Sequence, residues 1–207
     1  MMDSLGSVVE SSKFIAEHSK HVSIDKDAVS KTAIMLDEAM EKGEFDITNW
    51  KKHPLNPKKM DESSIDWIFL VDTMNFSFWS DSEVLFTVSY AGKLYTGYWS
   101  LCAAVNRALE EGIPFTSASY LASITQEQFD HIFRSETTER ISLPEQRIKI
   151  LRETGKVLLE KFGGSFATCV KQSENSVHKL LDIIVSNFES YRDESVFHGK
   201  KVQIYKR

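Results

Sequence analysis

Asp72 and Asn75 stand three residues apart, and Phe76, Phe78 and Trp79 follow them directly. A carboxylate and an amide beside aromatic rings can hydrogen-bond and stack a planar ligand such as a nucleobase. The same residues also suit a capping aspartate and a packed core helix, since polar groups in structural networks outnumber those in sites. Either role demands partners, because an unpaired buried carboxylate or amide is costly. A third candidate, His53, lies just upstream in His53-Pro54-Leu55-Asn56-Pro57. The two prolines hold His53 and Asn56 toward extended conformations, which makes His53 a titratable group on a stiff loop.

The element that must carry Asp72 is ambiguous. Laid on a helix, Ile65, Ile68, Phe69, Asp72, Asn75, Phe76 and Trp79 share one face, whereas Ile65, Trp67, Phe69 and Val71 also alternate as in a strand. Its surroundings are plainer. Residues 4–20 carry Leu5, Val8, Ile15 and Ala16 at helical spacing. Val29, Ala33, Leu36 and Met40 predict a second helix, begun by Asp25 or Asp27 and stopped by Gly43. Residues 44–64 read as a connection in which Trp50 and Leu55 tuck inward. After the central stretch, residues 80–83 form a polar break.

Residues 84–98 predict a β-hairpin turning at Ala91-Gly92, which needs helices to lean on. Tyr98, Leu101, Val105, Ala108 and Leu109 predict a helix to Glu111, ended by Gly112 and Pro114, with Asn106 and Arg107 off its stripe. A polar linker follows. Thr125–Gln128 and Ser142–Glu145 both read as capping boxes opening helices, and Gly163-Gly164 closes the second. Ser165 opens a short helix to about Gln172, and Val177–Phe188 is the last strong stripe. The basic, alternating tail, 196–207, reads as a strand or hairpin. The fold class is therefore mostly α with a small β-hairpin, α+β, within one domain.

The chain has 207 residues, a formal net charge of −5, 42% hydrophobic and 27% charged residues. That acidic balance argues against a polyanion-binding surface, so no direct nucleic-acid partner is expected. No apolar run has the length of a membrane span, and no membrane partner is expected. Cys102 and Cys169, the two cysteines, sit in apolar stretches and read as buried free thiols of a reducing, cytoplasmic compartment. His18 and His21 lack a third ligand at a credible spacing and read as solvated. Phosphate loop, dinucleotide fingerprint, paired CxxC and nucleophile elbow are all missing.

Longer blocks carry a resemblance. Val71–Trp79 (VDTMNFSFW), Tyr95–Ala104 (YTGYWSLCAA), Asn106–Pro114 (NRALEEGIP) and His131–Arg134 (HIFR) resemble the queuosine salvage family, the queuosine 5′-phosphate N-glycosylase/hydrolases. His53–Pro57, Leu159–Phe166 (LEKFGGSF) and Ser190–Asp193 (SYRD) match too, in family order from about residue 4 onward.

The resemblance implies hydrolysis of the N-glycosidic bond of queuosine 5′-monophosphate, releasing queuine for reuse in tRNA modification. It implies no metal or organic cofactor, and a fold similar to the helix-hairpin-helix DNA glycosylases. It also implies that His53 contacts queuine, and that Asp72 and Asn75 contact substrate or brace the site. Phe76 and Trp79 are then wall or core, and Lys200 and Lys201 meet a 5′-phosphate or simply face solvent. The family's catalytic aspartate, in a Phe-Ala-Asp-Tyr-Arg type motif, is expected beyond Arg207. On that reading the chain is the N-terminal portion of a longer member, with no catalytic residue of its own. The alternative is a non-catalytic queuine- or nucleotide-binding or interaction module.

Overall fold

The computed structural model describes residues 7–79 and 83–205. In chain order, α1 (Val8–His18), α2 (Lys26–Glu41), α3 (Ile47–Lys52) and α4 (Glu62–Met74) come first. A hairpin of β1 (Thr87–Tyr90) and β2 (Lys93–Thr96) runs into α5 (Gly97–Glu110). Then follow α6 (Ala118–Ser123), α7 (Gln126–Ile132), α8 (Pro144–Lys161), α9 (Phe166–Gln172) and α10 (Val177–Asn187). A second hairpin, β3 (Glu194–Phe197) and β4 (Lys200–Gln203), comes last. The architecture is mostly helical with two small antiparallel hairpins, as the α+β reading expects. No described helix is long and apolar enough to cross a membrane.

The chain divides into two compact units. The first comprises the residues up to Asn56 together with those from Arg192. Here α1 lies on the second hairpin: Ser11 is fully buried, and its Oγ accepts from the Gln203 backbone N–H at 2.9 Å. Phe14 meets Phe197 edge-on, and the Lys200 ammonium sits 4.9 Å from the Phe14 ring. Lys201 pairs with Glu194 across the strands. The α2 helix starts where Asp25 Oδ1 accepts from the Asp27 and Ala28 N–H groups, and Gly43, at φ +72°, follows its end. Its predicted stripe of Val29, Leu36 and Met40 is exposed.

The second unit runs from Pro57 to Tyr191. Phe69 of α4 stacks on Phe166 of α9 with ring centres 3.7 Å apart, and Phe162, Phe188 and Tyr191 complete that aromatic core. Asp66 Oδ1 accepts from the Phe166 N–H at 2.7 Å and from the Ser165 hydroxyl, so α4 caps α9. Trp67 Nε1 donates to Asn106 Oδ1 at 2.8 Å and ties α4 to α5. Thr73 and Tyr191 share a buried hydroxyl hydrogen bond of 2.8 Å. The first hairpin turns at Ala91 and Gly92, φ +49° and +74°, as a two-residue connection between twisted strands requires. A strap at 135–137 hydrogen-bonds its β1 edge.

Several expectations need correction. The central stretch is helical only to Met74, so Asn75, Phe76 and Trp79 do not continue one helical face. Its buried side is Trp67, Leu70, Val71 and Met74, while Asp72 faces out, because an unpaired carboxylate resists burial. The segment read as a connection includes α3, and the linker after Pro114 includes α6. The Thr125–Gln128 capping box forms, but the one at Ser142 does not. Leu143 sits there at φ +53°, and the Ser142 hydroxyl donates to the Ser77 carbonyl instead. Arg107, off the apolar stripe, is buried and donates to the carbonyls of Ser89, Ile132 and Arg134. Leu5 and most of the polar break, residues 80–82, lie outside the described residues.

Candidate functional site

The C-terminal end of α4 brings Asp72 and Asn75 together, for the Asn75 backbone N–H donates to the Asp72 carbonyl at 3.1 Å. Both side chains face outward. Among the described residues the Asp72 carboxylate has no hydrogen-bond donor or cation against it, and desolvation raises its pKa above the usual carboxylate range. Its charge also reaches α5: it raises the pKa of Tyr98 and Cys102, though burial is the larger cause for both. Tyr98 therefore stays a neutral phenol, and the Cys102 thiol, pushed to about 11, is an inert buried group.

A desolvated, unpaired carboxylate weakens the fold. At low pH it is protonated in folded and unfolded chains alike and costs nothing. The cost appears as pH rises through the ordinary carboxylate range, about 3.9, and is complete above the raised folded value. Asp72→Asn is accordingly expected to stabilise the chain at pH 7 by less than about 1 kcal/mol, since solvent screens this outward-facing group. Urea unfolding at pH 7 and pH 3 checks this; an equal effect at both values would overturn it.

Beyond Asn75 the chain turns into the wall of a cavity of about 530 Å³. Phe78, Trp79 and Phe86 supply rings, with Leu85 and Ile141 beside them. Thr96, Gly97, Glu139, Arg140 and Ser142 add polar and charged groups. Trp79 is 90% exposed, an indole presented to the opening rather than packed in the core. Phe76 instead lies under the Arg147 guanidinium, 4.2 Å from ring centre to Cζ. The wall-or-core reading thus resolves differently for the two rings.

Sequence reading missed Arg147. It is fully buried, and burial lowers its pKa to about 10, which leaves it charged at neutral pH. Its Nε donates to the Ser142 carbonyl at 2.7 Å, Nη1 to that of Met74 at 2.5 Å, and Nη2 to those of Phe76 and Ser77 at 2.5 and 2.9 Å. No local pattern marks it, for its position looks like an ordinary polar site near the start of α8.

His53 belongs to the other compact unit and follows α3 as its C-cap. The Leu55 backbone N–H donates to its Nδ1 at 3.3 Å, so the neutral ring carries its proton on Nε2. The residue is extended, as the following proline requires, and its half-buried ring lies on a loop whose Leu55 and Asn56 are buried. Lys201 is spent on Glu194, and Lys200 on the Phe14 ring. Among the described residues no three His, Cys, Asp or Glu side chains are grouped to hold a metal.

The described residues thus offer a ring-lined cavity and, outside its lining, an exposed carboxylate and amide at the end of α4. Residues 55–207 match the queuosine salvage protein family, and the chain belongs to it. It is similar to the queuosine 5′-phosphate N-glycosylase/hydrolase of Bos taurus, 53% identical over 208 residues that cover 100% of this chain and 61% of that protein. The Mus musculus protein of that name is 52% identical over 96% of this chain and 59% of its own length. The Schizosaccharomyces pombe one is 39% identical over 97% and 61%. The chain thus spans about three-fifths of the length of these relatives.

Proposed function

We propose that this chain forms the base-holding part of an N-glycosylase that hydrolyses the N-glycosidic bond of queuosine 5′-monophosphate and releases queuine. Membership of the family, with relatives that carry this activity in their names, is the observation that supports it most. The chemistry is consistent. Glycosidic cleavage passes through an oxocarbenium-like state, which a carboxylate stabilises while water attacks, and the departing base needs hydrogen bonds and a stacking surface. Phe78 and Trp79 supply the surface, and Asp72 and Asn75 hydrogen-bonding groups; His53 is a candidate queuine contact on the strength of the family resemblance alone. The catalytic carboxylate belongs to sequence beyond Arg207, in a fold akin to the helix-hairpin-helix DNA glycosylases. Neither a metal nor an organic cofactor has a place in this scheme, and the substrate is a mononucleotide rather than a nucleic acid.

The test is chromatographic measurement of queuine released from queuosine 5′-monophosphate. It compares the 207-residue chain with a form extended by the further sequence its relatives carry. Turnover by the extended form alone is expected. Release by neither form overturns the proposal, and equal release by both moves the catalytic carboxylate into this chain, with Asp72 first in line. In the extended form, His53→Ala is expected to raise KM about tenfold, the order of one lost hydrogen bond to a bound polar group, with the melting temperature little changed. Unchanged kinetics would remove His53 from the site.

A further inference from the structure

Arg147 is an unusual buried cation. Among the described residues its polar contacts are to carbonyl and hydroxyl oxygens, with no carboxylate. A guanidinium held this way is expensive to bury, because partial charges replace a counter-ion. What the arrangement achieves is geometric. The planar fork reaches two stretches some seventy residues apart at once: Met74–Ser77, and Ser142. Phe76 and Phe78 pack on its cation at 4.2 and 5.3 Å.

Both stretches are strained. Ser77 has φ +48° and Leu143 φ +53°, left-handed values that side-chain-bearing residues adopt at a cost and keep only where their surroundings insist. Here the insistence is visible: the Ser77 carbonyl accepts from Arg147 and from the Ser142 hydroxyl together. Both stretches also run straight into the cavity lining, the first through Phe78 and Trp79, the second through Ile141 and Ser142.

We propose that Arg147 is a positioning residue that fixes the aromatic wall of the base site, holding the turn through Phe76–Phe78 beside Ser142 and so setting where the exposed Trp79 that follows it stands. The inference rests on the reading of this cavity as the site for the base. Lysine cannot substitute, for it keeps the charge but lacks a planar fork able to span four carbonyls.

The test labels the 207-residue chain with 5-fluorotryptophan and records its ¹⁹F spectrum for wild type and Arg147→Lys, with Trp79→Phe assigning the Trp79 line. The Trp79 resonance is expected to shift or broaden in Arg147→Lys while those of Trp50, Trp67 and Trp99 stay in place. General loosening would move all four, and a Trp79 line that stays put overturns the inference. Should Arg147→Lys fail to fold, Ser142→Ala removes one donor to the Ser77 carbonyl from a half-buried position; it should move the same line by a smaller amount, and no movement overturns the inference equally.

A titration with free queuine separates this from the functional reading. Arg147→Lys is expected to weaken binding about tenfold or more, since small displacements of a wall are costly to a fitted ligand. Phe188→Ala, which empties the same aromatic core from outside α4 and away from this wall, should bind as wild type. If Trp79→Ala leaves binding intact, the cavity is not the base site and the functional reading of it fails. If Trp79→Ala weakens binding and Arg147→Lys does not, the positioning role alone fails.

Discussion

Gly155→Ala is expected to lower the melting temperature by on the order of 10 °C, corresponding to about 3 kcal/mol in a chain of this size. Gly155 lies mid-way along α8, where α6 crosses it closely. A Cβ added there would stand 2.4 Å from the Ala122 amide nitrogen and 2.6 Å from the Ala118 carbonyl oxygen. Those are backbone atoms, so no rotamer change relieves the clash. The six-residue α6 would have to move as a body, and Ala118 with it, out of the aromatic core that it helps to close. Conformational entropy works the other way: alanine favours the helix by about 1 kcal/mol over glycine, and the clash must exceed this. Thermal unfolding followed by circular dichroism decides between them. A stabilised Gly155→Ala chain would mean that α6 rides up on α8 at little cost.

Phe69→Ala is expected to destabilise by about 3–5 kcal/mol, the usual range for emptying a buried phenylalanine site. Phe69 is 5% exposed, stacks flat on Phe166, and meets Phe188 and Tyr191 as well. Collapse into the space is restricted, because Asp66 pins the start of α9 and Thr73 pins Tyr191. Urea unfolding measures the loss, and a value under about 1.5 kcal/mol would show that the four rings repack. The α4 helix that carries Phe69 inward carries Asp72 outward, so the core sets where the carboxylate stands. Phe69→Leu, which keeps most of the apolar volume, should recover much of the stability.

Much of this molecule could be read locally. The helices α5, α8 and α10 announce themselves by apolar spacing, because a period of 3.6 residues is written within a few turns of chain. Ala91-Gly92 specifies its hairpin, and Thr125 with Gln128 closes its own cap, for the same reason: both partners lie within four residues. The identity of the polar pair Asp72 and Asn75 was equally plain, as were the aromatic residues beside them.

What the sequence could not express was direction and distant partnership. Whether α4 buries Asp72 or presents it depends on which of two apolar faces meets α5 and α9, and both faces are written in the same thirteen residues. The helix ends at Met74 where Arg147, seventy-three residues later, takes the carbonyl that another turn would have used. Ser142 leaves its apparent capping box because its hydroxyl finds Ser77, sixty-five residues away. Arg107 and Arg147 look like surface charges in the sequence, since a charged residue offers no local sign that carbonyls elsewhere will receive it. Propensity, capping and turn chemistry act over about one helical turn and are therefore legible in order. The burial of a cation, the strain at Ser77 and Leu143, and the cavity they shape exist only once distant segments have met.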